Sequence, residues 1–463
     1  MMQIEAPLMK LVLMTFMSIT LLTACTTTSK QSSMSLSIPV QETSNPQVVQ
    51  IASNHNLSSD RGTGFGVYNE RVNKTWVTWA GENMNTYVRE YDHTTHLWSD
   101  SKIVGQIPDT YFSQYTWSEQ KRDHHNYPKM IQTNDGKLMV VYSAHNSRLY
   151  KSTSPLENSV EGWDATHYQE IKNGDDPIKA TYPLINKATN GDIYIFYRYT
   201  TGAPTDYRPL EMIKSTDNGL TFSEPVRIID THDAMPSNMN EVYNDGFRHE
   251  PAHGAIPERF LVGWTMAGGG PINKHNLYHK NAYFAYFYPE TDTWTDAAGT
   301  DLGSSIDEHE INHCLVVDSG ELDSNNKQAI DYYFAASYTD DGKPVLLYAD
   351  KKGGKKYLNS ARWTGSEWAV VNITKGSSLM DIEKIGVNDF IAYHKSGGKI
   401  VAYKTTDGAI SWSRDHVIDT QIKNLNKVGL IENYHPEVKF LGLQADWKER
   451  DTSGKYNTYI IKE

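Results

Sequence analysis

A short strand-forming run recurs seven times along this chain, and a repeat of that kind leaves few folds open. The copies are Thr75–Trp79, Leu138–Tyr142, Ile193–Tyr197, Phe260–Trp264, Tyr332–Ala336, Asp389–Tyr393 and Val438–Gly442, with starts about sixty residues apart. From about Pro46 onward there is no helical periodicity of useful length, only short β-type runs broken by Gly, Asn, Asp and Pro. Unusually high tyrosine and tryptophan content, 29 and 11 against 12 phenylalanines, fits strands and surfaces that stack on sugar rings. The expectation is an all-β chain built as a seven-bladed β-propeller over residues 46–463, with a two-sheet sandwich as the alternative.

Most of these runs are followed by another strand and then by a turn that ends in an aromatic residue. Examples are Tyr91–Trp98, Lys214–Phe222, Tyr288–Trp294 and Lys404–Trp412. The unit from Ser215 to Phe222 resembles the Asp-box of sialidase-like propellers, with Phe222 in place of the usual tryptophan. Its physics is local: Asp217 caps the turn, Gly219 supplies a positive φ, and the aromatic packs between sheets. These boxes therefore report fold rather than chemistry.

The amino terminus reads as a targeting segment. An apolar run, Leu11 to Leu22, leads to Leu22-Thr23-Ala24-Cys25 and then to a Ser/Thr/Gln-rich stretch. It is too short for a membrane span and resembles a bacterial lipobox, which implies a signal peptide over 1–24, a lipid on Cys25 and a polar tether over 25–45. The expectation is then an exported protein, lipid-anchored to the bacterial outer membrane and periplasmic or cell-surface, with secretion through an ordinary secretory signal as the alternative. Cys314 is left without an internal disulfide partner. A net charge of −12 gives no sign of nucleic-acid binding. A local cationic cleft can still take an anion, because salt screens distant surface charge within about 10 Å.

The stretch Asp123–Asn146 carries histidines at both ends of one predicted hairpin, with an Asn134-Asp135-Gly136-Lys137 turn between them. Folding that hairpin brings His125 and His145 together, as proton-transfer groups or as metal ligands. In a propeller, equivalent strand ends of neighbouring blades converge, so Arg198, which ends the third run, faces the same cleft. Tyr194, Phe196 and Arg198 share one strand face, and an arginine that continues an apolar face needs an anionic partner. Tyr182, Tyr243, Asn126 and His249 complete the candidate set. A convincing carboxylate pair for glycoside hydrolysis is missing, as is the arginine cluster with a Tyr/Glu pair of a sialidase. Imidazole, phenol and guanidinium suit abstraction of a proton α to a carboxylate, followed by protonation of a departing glycosidic oxygen. That is β-elimination from a uronic acid.

The segments HHNYP, DGKLMVVYSAHN, ATYP, NGDIYIFYR, STDNGLTF and GWTMAGGGPINKHNLYHKNAYFAYF together resemble the BNR-repeat propellers that include the ulvan lyases, of the PL25 type, with PL24 more distant. The resemblance implies a polysaccharide lyase that cleaves a sulfated rhamnose-uronate polysaccharide at the rhamnose-3-sulfate to glucuronate or iduronate bond, leaving an unsaturated uronate. It places His125, His145 and Tyr182 in the catalytic cleft, His125 as base toward one epimer and Tyr182 as proton donor, and sets Arg198 on the substrate carboxylate. It also implies a structural zinc away from the chemistry. His249, His253, His275, His279, His309, His313 and Cys314 crowd into sixty-six residues, and the expected ligands are Cys314 with His253 and His275, the fourth left open. Arg208 and Arg248 are candidate sulfate contacts. Gly268-Gly269-Gly270 reads as a bend, and Trp76, Trp79 and Trp264 as inter-sheet core. The expected partner is an anionic uronate polysaccharide, the expected state a monomer. The competing function is a lipid-tethered propeller that binds polysaccharide without cleaving it, or a sialidase-type hydrolase.

Overall fold

The structure is a computed structural model. It describes residues 41–42, 47–55, 64–108, 125–126, 128–200, 207–231, 241–268, 278–320, 329–376, 378–446 and 455–463, so the expected signal peptide and most of the tether fall outside the described residues. Within them the chain is all-β: strands joined by turns and a few 3-10 turns, with no α-helix.

The strands fall into seven antiparallel units. Unit one begins with Gly66–Asn69 and Lys74–Ala80, unit two with Lys129–Gln132 and Leu138–Tyr142, and unit three with Lys179–Lys187 and Ile193–Arg198. Unit four begins with Glu241–Glu250 and Arg259–Gly268, unit five with Ile330–Tyr338 and Pro344–Lys352, and unit six with Leu379–Gly386 and Asp389–Ser396. Unit seven is assembled from both ends of the chain. Leu425–His435, Val438–Gln444 and Tyr456–Ile461 pair in turn, and Val48–His55 completes them by pairing with Tyr456–Ile461, Val48 opposite Ile461. A parallel pair, Val67 opposite Glu432, joins units seven and one into one ten-stranded sheet.

Both faces of each unit are covered by neighbours, so the strands read as nearly continuous apolar runs. Seven apolar clusters occupy seven seams. Trp76, Val88, Met130 and Val140 fill the seam of units one and two, and Tyr194, Phe196, Trp264 and Phe287 that of units three and four. Ile51, Phe65, Trp79, Leu441 and Ile460 fill the seam of units seven and one. The first strands follow the same cycle, each packing against the next and the last against the first. Trp76, Trp79 and Trp264 are fully buried, as expected of inter-sheet core. Removing any one of these indoles would cost roughly 3–5 kcal/mol.

The Asp-box turns behave as local physics requires. In unit three Asp217 accepts from the Thr221 N–H at 2.9 Å and hydroxyl at 2.6 Å, Ser215 Oγ accepts from the Gly219 N–H at 2.8 Å, and Gly219 has φ +78°. Phe222 packs against the apolar cluster of units two and three. Thr405, Asp407 and Ser411 repeat the pattern in unit six, with Trp412 on the seam of units five and six.

Candidate active site

Within the Asp123–Asn146 stretch, of which Asp123, His124 and Tyr127 lie outside the described residues, the predicted hairpin forms. Lys129–Gln132 pairs with Leu138–Tyr142 around a turn in which Gly136 takes φ +80°. His125 just precedes the first strand and His145 just follows the second, and their ring centroids lie 4.4 Å apart. Asn126 is buried, its amide donating to the Met84 carbonyl of unit one, so it fixes the approach of His125. On the other side Asn146 adopts φ +49° and its N–H donates to Thr181 Oγ1 at 2.8 Å. The His145 loop is thereby tied to unit three.

That tie lands beside an irregularity. Between Thr181, opposite Arg198, and Leu184, opposite Phe196, the ladder of unit three slips, and Tyr182 in the slip has φ +58°. A left-handed tyrosine before a proline is strained by roughly 1–3 kcal/mol. The bulge turns the Tyr182 ring out of strand alternation and toward the hairpin, 5.5 Å from His125 between centroids. Tyr243, near the start of unit four, lies 6.0 Å from Tyr182 and 5.0 Å from His279.

Arg198 sits between the two phenols. Its guanidinium carbon is 4.5 Å from the ring centroid of Tyr182 and 4.5 Å from that of Tyr243, and the side chain is 1% exposed. Nε and Nη1 have no hydrogen-bond partner among the described residues. Burial pulls its pKa down, but Tyr243, Tyr182 and Glu241 outweigh that and hold it above the usual guanidinium value. Two cation–π contacts recover roughly 1–4 kcal/mol, whereas burying an ion costs several kcal/mol, so they offset only part of that cost. Glu241, the carboxylate nearby, shares its charge with Arg208 through a 2.9 Å ion pair. The cation therefore favours an anion at the cleft.

The site is thus a row of rings, His145, His125, Tyr182, Tyr243 and His279, lying along a buried guanidinium. Two proton-transfer chemistries and a fixed positive charge meet at the adjoining ends of units two, three and four. Residues 74–376 match the pattern of a BNR repeat-containing family member. The chain belongs to the BNR repeat-containing family.

Curated relatives and solved structures extend that assignment. The chain is 24% identical over 417 residues to an ulvan lyase of Alteromonas sp. (strain LOR), covering 84% of this chain and 81% of that one. It is 23% identical over 375 residues to the ulvan lyase of the PL25 type from Pseudoalteromonas sp. (strain PLSV), covering 74% and 70%. A PL25 ulvan lyase structure superimposes with a TM-score of 0.68 at 17% identity, covering 89% of this chain and 94% of that one. A PL25 ulvan lyase bound to -[GlcA(1-4)Rha3S]- gives 0.67. At that identity the structural likeness is one of fold.

Three expectations for this BNR-repeat chain need correcting. His249 does not join the substrate cleft. It lies six residues beyond Tyr243 on the same ten-residue strand, roughly 20 Å away at the strand rise. There Nε2 bonds Glu258 at 2.6 Å, and the ring helps line a cavity of ≈ 590 Å³ at the opposite end of the first strands. Arg208 and Arg248 are structural: Arg208 pairs with Glu241, while Arg248 bonds Asp381 at 2.9 Å and the carbonyls of Ala336 and Ile382.

The metal set His253, His275 and Cys314 does not form one coordination sphere. His275 is outside the described residues. Cys314 adjoins Leu315, which pairs with Tyr283 opposite Trp264, whereas His253 lies in the turn beyond the Glu250–Arg259 pair. That register separates them by more than about 10 Å, far beyond two ligands of one zinc. Cys314 is a buried free thiol whose pKa is pushed up by burial, Asp296 and Glu310, and His253 bonds Glu250 at 2.8 Å. His279, assigned by sequence to the histidine-rich metal region, instead stands buried against Tyr243.

Proposed function

We propose that this protein is an ulvan lyase, cleaving a sulfated rhamnose-uronate polysaccharide by β-elimination at the rhamnose-3-sulfate to glucuronate or iduronate bond. The observation that carries the reading is the convergence of His125, His145 and Tyr182 on the tyrosine-flanked cation Arg198. The same activity is named for the relatives from Alteromonas and Pseudoalteromonas, and the similar PL25 fold holds a glucuronate–rhamnose-sulfate segment. The seven units act as blades of a closed seven-bladed propeller, and the site occupies one mouth of its axis.

Elimination requires removal of the proton at C5, where the adjacent carboxylate accumulates charge, and protonation of the departing oxygen at C4. His125 takes the C5 proton, with His145 against its ring to hold its orientation. Tyr182 gives its phenolic proton to the leaving oxygen. Arg198 makes that donation easier by stabilising the phenolate, and its field offsets the enediolate charge growing on the uronate. Tyr243 flanks the cation on its other side. The polymer is anionic, the protein acts as a monomer, and the amino-terminal segment exports it and anchors it through a lipid on Cys25. Ulvan incubated with the full chain should yield the rising ultraviolet absorbance of an unsaturated uronate. Binding without any such rise would leave a polysaccharide-binding propeller and end the lyase reading.

A further inference from the structure

Away from the ring row, on the seam where the first and last units meet, three side chains present ligand-type atoms to one point. One atom each of His93, His435 and Glu437 lies within 4.8 Å of the others, the one such group among the described residues. His93 follows the third strand of unit one, Thr86–Asp92, and His435 and Glu437 belong to the first turn of unit seven, where His435 pairs with Val438. We propose that this cluster is a divalent transition-metal site of the zinc class that staples the ring where it closes.

Each donor is already oriented. His93 is almost wholly buried; its Nε2 lies 2.8 Å from Thr75 Oγ1, and its Nδ1 lies 3.1 Å from Glu437 Oε2. A ring nitrogen held by a neighbouring oxygen, with the other turned to a shared point, is the arrangement that outer partners give metal-binding histidines. His435 Nδ1 accepts the Glu437 N–H at 3.3 Å and lies 3.9 Å from Glu437 Oε2, which holds the ring against the carboxylate. The rings of His93 and His435 stand 3.9 Å apart between centroids, close enough for both imidazoles to reach one ion. Tyr68 meets both rings edge-on at 5.3 and 5.4 Å, and Tyr91 meets His93 at 4.7 Å, forming an aromatic wall that limits water. The exposed His96, with Nδ1 3.4 Å from Glu437 Oε1, is the neighbouring imidazole available as a fourth ligand. Two imidazoles, one carboxylate and, as fourth ligand, a third imidazole or a water make a tetrahedral zinc donor set, and imidazole-rich sets favour zinc over magnesium or calcium.

The placement gives the ion a purpose. His93 and Glu437 are 344 residues apart, and the backbone pairing between units one and seven consists of the Val67–Glu432 pair and the His55–Gly81 bridge. A bound ion would cross-link the two termini of the fold.

The test uses the full-length protein, stripped with a chelator, dialysed and titrated with Zn²⁺, with bound metal read by elemental analysis and Tm recorded throughout. Glu437→Gln and His435→Asn are partly exposed and suit the comparison; Thr75→Val probes the orienting bond. The wild type should bind one zinc per chain more than either variant, whatever other sites it holds, and its zinc-dependent rise in Tm should vanish in both. Thr75→Val should weaken binding by about tenfold or more. Co²⁺ should give tetrahedral visible absorption in the wild type and lose it in Glu437→Gln, while ulvan cleavage by Glu437→Gln, assayed where both proteins are folded, stays unchanged. Equal zinc stoichiometry and equal zinc-dependent Tm in wild type and both variants would reduce the cluster to a histidine–carboxylate hydrogen-bond group and overturn the proposal.

Discussion

The two ends of the first strands in units two to four differ in how their polar groups are satisfied. At the starting end, His125, Tyr182 and Tyr243 gather around Arg198, two of whose nitrogens lack hydrogen-bond partners among the described residues. At the finishing end of the same strands most of the polar groups are paired, the buried Asn186 Nδ2 being an exception among the described residues. Lys187 donates to the Gln132 carbonyl at 2.6 Å, Asn69 bonds the Gln132 side chain, and His249 bonds Glu258. Burial pushes the Glu258 carboxyl up, but hydrogen bonds from Thr189 and His249 outweigh that and hold it below the usual value. A cavity of ≈ 590 Å³ lies at this end. That cavity by itself would draw attention to this end; the buried guanidinium with unmet donors draws it to the other.

The sharpest way to break this comparison is to remove the proton-transfer groups. Tyr182→Phe and His125→Ala should each lower ulvan cleavage by roughly 10²–10⁴-fold, the usual contribution of a positioned acid or base. Full product formation by either variant would sink the assignment. Arg198→Met is expected to separate activity from stability. Elimination should fall by on the order of 10²-fold as the charge is lost, while Tm holds or rises, because a buried guanidinium with unmet donors is replaced by an apolar chain of similar length. A large drop in Tm would instead assign Arg198 a structural role. At the finishing end His249→Ala should leave kcat within about twofold and change only stability, by no more than about 1 kcal/mol for a half-exposed pair. A catalytic collapse there would erase the distinction between the mouths.

How far the sequence reached follows the same division between local and distant. The recurring run marks the second strand of six units; in unit five it fell on the first strand, Ile330–Tyr338, because Pro344–Lys352 opens on a proline and closes on charges while both strands are apolar. Hairpin logic was sufficient for His125 and His145, since their meeting needs only two strands and a glycine turn. The Tyr182 bulge was not legible: a positive φ on an aromatic before proline contradicts local preference and is held by unit packing. His249 was misplaced because a ten-residue strand spans the depth of the sheet, so nearness in sequence to Tyr243 became distance in space. His279 carries no local signal at all. His93 and His435 sit in separate units, and no local pattern joins them.

A gentler measurement tests whether the turns that report fold are also independent of the site. Burial nudges the Asp217 and Asp407 carboxyls up, but hydrogen bonds from Thr221 and Ser215 on one, and from Ser411 and Thr405 on the other, pull both down to about 2. A carboxylate depressed in the folded state contributes stability that is present above its ordinary pKa of 3.8 and disappears as pH falls through about 2. Both groups are near solvent, so screening keeps each contribution small. The double variant Asp217→Asn, Asp407→Asn should therefore show a shallower loss of Tm across that acid window than the wild type, with ulvan cleavage at neutral pH unaltered. An identical acid slope would mean that these boxes are held by backbone and aromatic packing instead of by their carboxylates, and a fall in cleavage would mean that the turns reach the rings after all.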